Sequence, residues 1–427
     1  MAREYKHSGI EWIGEIPKEW RVELIGNNIK EIKDKNEDSS EDNALQFKMG
    51  TIISKKGGDS KYNPESLAAY TMVQEGDIVI NGLNLSFDFI SQRVGLVREK
   101  GVITSTYLTL RPSSLLYSDF VNYLFKAYDN CKAFHGMGRG LRQILSYREL
   151  RNQKLIYPSL KEQQKIANYL DKVCGEVDEM IALQEQMIDE LKAYKQSVIT
   201  EAVTKGLNPD APMKPSGIDW IGDVPEHWNV CRMKNIATGF INGTSITQLP
   251  NEESPYAVTR IETISSGNIN YKKVGYVPFF EGISKYLLIK GDILISNINS
   301  LERVGNSAIY NGEQTLYHGM NLLRVHTNER MIDIYLHFYL RSKAFLEQMK
   351  SCCNHAINQV SVSSSTLKNI FVATPPLSEQ QSIASYLDTK CAEIDALIAI
   401  KQAKIEELKD YKKSVIYEYV TGKKEVV

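Results

Sequence analysis

Apolar residues recur in alternating steps of four and three through residues 158–206. Ile166, Leu170, Val173, Val177, Met180, Met187, Leu191, Tyr194 and Val198 mark the stripe, with Gln184 its one polar member. That period is a heptad seam, and it predicts a helix packed along a partner helix. At 1.5 Å per residue, ~40 residues span ~60 Å. A second stretch, residues 375–427, keeps Ile383, Leu387, Ile394, Leu397, Leu408, Tyr411 and Val415. Its other seam places hold Lys390, Lys401 and Lys404, so a face shared with Ile398 and Ile405 is expected. Pro158 and the Pro375–Pro376 pair mark where extended chain gives way to helix, and Ser378 with Gln381 three residues on suits a capping box. Gly206, Pro209 and Pro212 end the first helix.

Between these stretches the pattern shortens. Residues 76–80 (GDIVI) and 291–295 (GDILI) read as a turn and a buried strand, each followed by an Asn-rich loop and then by Arg-Val-Gly at 93–95 and 303–305. Residues 102–110 alternate and are β-branched, which predicts another strand. Residues 120–134 and 334–349 read as helices.

The two seams are copies. Residues 158–204 and 375–421 share 27 of 47 aligned positions at an offset of 217. A shorter phrase also recurs: SGIEWIGEIPKEW at residues 8–20 and SGIDWIGDVPEHW at residues 216–228 hold all four tryptophans. The chain is thus two halves, each a Trp/Pro phrase, a divergent insert and a long helix. The boundaries expected are 1–157 for the first globular domain, 158–206 for its helix, 207–374 for the linker and second domain, and 375–427 for the second helix. Two seams in one chain most simply bury each other, antiparallel and pseudo-two-fold. The Trp/Pro phrase reads as a packed turn that docks each insert on its helix.

Charge narrows the inserts' role. The net charge of −1 is uneven: residues 158–206 carry six Lys against nine acids, and residues 375–427 eight Lys against nine acids. About +3 therefore falls outside the helical copies, concentrated near Lys132, Arg139, Arg142, Arg148, Arg151 and Lys154. A local basic surface binds phosphates whatever the global charge. No apolar run approaches the ~18 residues of a membrane span and no signal peptide opens the chain, so the cytoplasm is expected. Cys174 and Cys391 occupy equivalent helix positions and read as packing residues, and no cysteine spacing makes a metal site.

No GxGxxG, GxxxxGK[ST] or HExxH is present, and Thr374-Pro375-Pro376-Leu377 lacks the polar head and aromatic end of an aminomethyltransferase quartet. Catalysis is not expected. Loop cations and amides suit recognition instead, since Arg and Lys match guanine edges or phosphates and Asn and Gln match adenine. The candidates in the first insert are Lys48, Lys55, Lys56, Asn84, Arg139, Arg142 and Gln143. In the second they are Arg260, Lys272, Lys273, Asn299, His355, Asn358 and Gln359.

The repeated SGI-x-WIG-x-x-P-x-x-W and P-x-L-x-EQQ-x-IA-x-YLD phrases, with K-x-YK-x-SVI further on, resemble the specificity subunits of Type I restriction–modification systems. The resemblance covers essentially the whole chain, twice and in order. It implies a mixed α/β fold: two target recognition domains held apart by two long antiparallel coiled-coil helices. It implies that each domain binds one half of a split site in double-stranded DNA, with the helices as a ruler. Two methylation subunits would dock on the helices and, where a restriction subunit exists, two of those as well. It implies no cofactor in this chain, with S-adenosylmethionine, ATP and Mg2+ used by partner subunits. A DNA-acting enzyme with a built-in reader, and a coiled-coil assembly protein without a DNA role, are the competing readings.

Overall fold

A computed structural model describes residues 3–55, 67–138, 143–249, 254–265, 267–356 and 359–426. The chain divides into two compact units: Met1–Glu185 with Ala403–Val427, and Gln186–Gln402. Each contains one insert, the beginning of the long helix that follows it, and the end of the other long helix. The long helices are Leu160–Lys205 and Leu377–Val420.

The inserts share a mixed α/β plan. In the first unit, strands Ile29–Glu31, Leu108–Pro112, Ile78–Ile80 and Val94–Leu96 form an antiparallel sheet in that order. In the second, Ala237–Asn242, Leu322–Thr327, Ile293–Ser296 and Ser307–Ile309 do the same. Ile78, Val79 and Ile80, like Ile293, Leu294 and Ile295, are 0% exposed, which explains their uninterrupted apolar run. The Gly-Asp turn before each strand is fixed alike: Asp77 accepts the Gln74 amide and pairs with Arg111 at 2.7 Å, and Asp292 accepts the Ile289 amide.

Four sequence expectations fail locally. Residues 120–134 are not one helix: the α-helix is Ser118–Asn130, and Lys132 at φ +58° separates it from a short 3-10 turn, Ala133–Met137. Residues 102–110 are two strands, because Tyr107 N donates to Thr104 O while the Thr104 and Thr106 hydroxyls bond each other, turning the chain. Residues 334–349 are two helices, Asp333–Leu340 and Lys343–Ser351; Ser342 breaks them by accepting the Phe345 amide as N-cap. Nor does Ser378 make a capping box, since it already lies within the first helical turn.

The buried stripe of the long helices keeps part of the expected seam and departs from it elsewhere. Beyond Leu170 it runs through Cys174, Val177, Ile188 and Ile199, leaving Met180 and Tyr194 about half exposed. In the second helix Ile383, Leu387, Ile394, Leu408 and Val415 are buried as expected and Ile405 joins them from the shared face, while Cys391 and Ile416 extend the stripe and Leu397 and Tyr411 are left about half exposed. Each copy shifts at the same places. A straight helix turns every 3.6 residues, so a 3.5-residue seam drifts off its face unless extra steps of four are inserted. The shift puts Lys195 and Lys412 at equivalent seam places. Within the second unit Lys195 pairs with Asp395, and within the first Lys412 pairs with Asp178, both at 2.6 Å. Tyr169 stacks near Tyr419 in the first unit, so the helix segments there run antiparallel.

The repeated phrases explain how each insert is seated. Trp20 and Trp228 are fully buried. Burying a tryptophan removes roughly 200 Å² from water, about 5 kcal/mol by area. Trp20 Nε1 donates to Glu162 and Trp228 Nε1 to Glu379, each in the first turn of its long helix. The next residue is a buried glutamine in both. Gln163 donates to the Leu115 and Pro158 carbonyls and accepts the Tyr117 amide. Gln380 donates to those of Arg330 and Pro375 and accepts the Ile332 amide. The Trp/Pro phrase is therefore a docking turn, as its repetition in otherwise divergent halves suggests. Trp12 fits that reading, packing edge-on to Tyr128 at 4.7 Å, but its counterpart Trp220 is 47% exposed. Among the described residues no helix is long and apolar enough to cross a membrane.

Candidate nucleic-acid interface

In the first unit the loop leaving strand Ile78–Ile80 is built around Arg93. This side chain is 1% exposed, and its guanidinium donates to the carbonyls of Asn81 (3.0 Å), Leu83 (2.7 Å) and Asp88 (2.7 Å). Burying a guanidinium is costly unless its donors find acceptors; here both terminal nitrogens do, and these bonds define the loop backbone, while Nε has no partner. Asp129 accepts from Arg93 N and from Gln92 Nε2, although burial pushes its carboxyl up. Asp88 Oδ1 accepts the Ile90 and Ser91 amides, and the Ser91 amide foremost holds that carboxyl down at about 2. His135 lies 3.1 Å from Asp88 O through Nε2 and stacks on Phe89 at 4.7 Å.

The expected residues gather around this loop. Asn84 is exposed with φ +52°, its carbonyl accepting the Phe87 and Asp88 amides. Gln143 sits opposite, its carbonyl accepting the Leu85 amide. Lys48 is exposed at the tip of a hairpin whose turn, Met49-Gly50, has positive φ at both positions. Gly50 presses on Gln92: a Cβ there would stand 2.4 Å from Gln92 Cγ. Lys55 follows the second hairpin strand, its amide bonded to Ala44 O. Lys56, Arg139, Arg142 and Asn358 lie outside the described residues.

In the second unit the loop leaving the corresponding strand joins a small sheet. Past strand Ile293–Ser296, Ile298–Asn299 joins Gln359–Ser361 and Asn354–Ala356 in a three-stranded sheet. Asn299 and His355 both pair with Val360, and Gln359 is the next residue along, so three expected residues share one small sheet. Asn299 Nδ2 is partly occupied by Ser296 Oγ, whereas His355 and Gln359 are exposed. Lys272 and Lys273 are exposed on a turn held by Asn270 and by Thr263, whose hydroxyl donates to Lys273 O. Arg260 caps the same segment but is half-buried, its Nε donating to Gln248 at 2.5 Å, so its role is mainly to hold the loop.

Sequence reasoning passed over two features. Arg93 and Arg303 open the same Arg-Val-Gly phrase, yet Arg93 is buried and Arg303 is exposed. Phe87, Phe89 and Ile90 are 77%, 53% and 91% exposed. Their signal was legible as three large apolar residues in an Asn/Ser/Asp loop outside any periodic element.

A family model described as "Type I restriction modification DNA specificity domain" matches residues 90–193 and 225–410. The chain is 40% identical over 205 residues, 47% of each protein, to the MjaX specificity subunit assigned to a type I restriction enzyme of Methanocaldococcus jannaschii. It is 23% identical over 418 residues to the MjaVIII type I specificity subunit of the same organism, covering 96% of this chain and 93% of that one. A solved chain from a study of complex assembly and conformational transition in a type I R-M system has the same fold, with a TM-score of 0.67 at 16% identity, covering 95% of this chain and 98% of its own.

Proposed function

We infer that this chain, which belongs to the Type I restriction–modification DNA specificity family, reads a split, asymmetric site in double-stranded DNA, one half through each insert. It is itself non-catalytic. The long helices set the spacing between half-sites and dock two methylation subunits that use S-adenosylmethionine. Where restriction subunits exist, they join the same complex with ATP and Mg2+.

One observation carries this reading. The two units share the same seating devices, Trp20–Glu162 with Gln163 and Trp228–Glu379 with Gln380. Yet the loops that leave the corresponding central strands differ: residues 81–92 display Phe87, Phe89 and Ile90, whereas residues 297–306 have Leu301 as their one large exposed apolar residue. A constant mount with two different heads suits reading two different sequences.

Methylome sequencing of a host expressing the chain and its methylation partner gives the motif. A footprint of that complex should then show two protected patches about one helical turn apart. One continuous patch refutes the bipartite reading. Lengthening both long helices by four residues adds ~6 Å to each and should change the tolerated spacer; an unchanged preference refutes the ruler. If the chain were instead an enzyme, the purified chain with Mg2+ or S-adenosylmethionine would modify DNA unaided.

A further inference from the structure

Phe87, Phe89 and Ile90 have no place in a reading based on hydrogen bonds to base edges. Three large apolar side chains within four residues ordinarily fold inward. Here the backbone prevents it. Arg93 grips three loop carbonyls, Asp88 caps the Ile90 and Ser91 amides, and His135 braces both Asp88 and Phe89. Ile90 at 91% exposure touches almost nothing of its own chain. The loop is thus held in a form that displays apolar side chains to solvent.

We propose that this loop is a wedge that enters a base step of the DNA, Phe87 and Ile90 leading and Phe89 supported from behind by His135. The proposal rests on the DNA-reading function above. Apolar side chains on a rigid loop can part stacked bases and kink a duplex, since the stacking surface they expose is itself apolar. The surroundings favour nucleic acid over protein. Asn84 and Gln143, both polar, border the loop through their main-chain carbonyls, and the Lys48 hairpin turn abuts it through Gly50 and Gln92. Three side chains on one turn also fall well short of the roughly 800 Å² per partner of a stable protein interface. The corresponding loop of the second unit, between Ile293–Ser296 and Ser307–Ile309, has Leu301 at 43% as its one large exposed apolar residue. The wedge therefore belongs to one half-site alone.

The test uses the complex with its methylation subunits and a duplex bearing the methylated motif. 2-Aminopurine is placed in turn at each position of both half-sites, and its fluorescence rises on unstacking. The expected result is a several-fold rise at a step in one half-site, apart from any signal at the methylated adenine. In the Phe87→Ala/Ile90→Ala variant that rise is lost, with about tenfold weaker binding and an unchanged salt slope. Phe87→Leu/Ile90→Leu restores it. No such rise in the unmodified complex, with both footprints intact, overturns the wedge and leaves the half-site reading standing. A rise that persists in the alanine variant also overturns it. So does loss of the methylation subunit from the alanine variant, which would make the loop a protein-docking element. Loss of sequence-specific binding by the unmodified complex would instead defeat the underlying DNA-reading function.

Discussion

The second unit is built to fail first in acid. His318 is 0% exposed, with Nε2 3.0 Å from Leu322 O and Nδ1 lacking a hydrogen-bond partner. His337 is 5% exposed and its Nε2 has none. Burial, aided by nearby Arg324, lowers His318 to about 4, and burial, aided by Arg341, lowers His337 to about 3. Both side chains are neutral in the fold, while the unfolded chain takes up protons near pH 6.5. Stability therefore rises with pH across this window: it is fully present above about 6.5 and lost as pH falls toward 4 and then 3. At pH 5 the linkage removes about 2 kcal/mol per histidine, about 4 together, from a total of the order of 5–15. In the first unit His7 is exposed and His135 half-buried. Hydrogen exchange, corrected for intrinsic rates, should show protection in Leu322–Thr327 and Asp333–Leu340 falling by about a thousandfold between pH 7.5 and 5. Leu108–Pro112 and Ser118–Asn130, their counterparts in the first unit, should change much less. His337→Phe should halve the pH slope in the second unit, whatever it does to the level. Equal losses in both units, or an unaltered slope in that variant, would refute the reasoning.

Three further outcomes follow from the seating and the loop. Gln163→Ala, or Gln380→Ala, deprives two buried carbonyls and one amide of partners and should cost about 3 kcal/mol, read as a shift in the denaturant midpoint. Arg93→Met leaves three loop carbonyls without their donor; it should cost about 3 kcal/mol and open residues 84–92 to limited proteolysis, whereas Arg303→Met should leave stability within about 0.5 kcal/mol. Asp178→Lys should destabilise by about 1 kcal/mol because the pair is partly solvated, and adding Lys412→Asp should recover the loss in a double-mutant cycle.

Much of the architecture was legible in the sequence because repetition is a strong signal. Two copies of a seam give two long helices, and a tryptophan phrase kept in otherwise divergent halves gives the docking turn. The Gly-Asp strands were legible as well, since a strand buried on both faces reads as unbroken apolar chain. The candidate loops were found by composition, which identifies chemistry but not neighbours. Gln143 proved to bond the residue after Asn84, and Asn299 and His355 to pair with one strand, whereas Arg260 holds its own loop.

The sequence alone determined that there are two alike mounts with unlike heads, because local periodicity and repeated words need no third dimension to be read. Tertiary structure decided which face of each helix is buried, because the drift of a 3.6-residue turn against a 3.5-residue pattern accumulates over many turns. It decided that Trp12 is partly buried against Tyr128 while Trp220 is about half exposed. It also made Arg93 a buried clamp and Arg303 an exposed cation from the same three-letter phrase, since a guanidinium is buried only where a surrounding loop brings carbonyls to meet it.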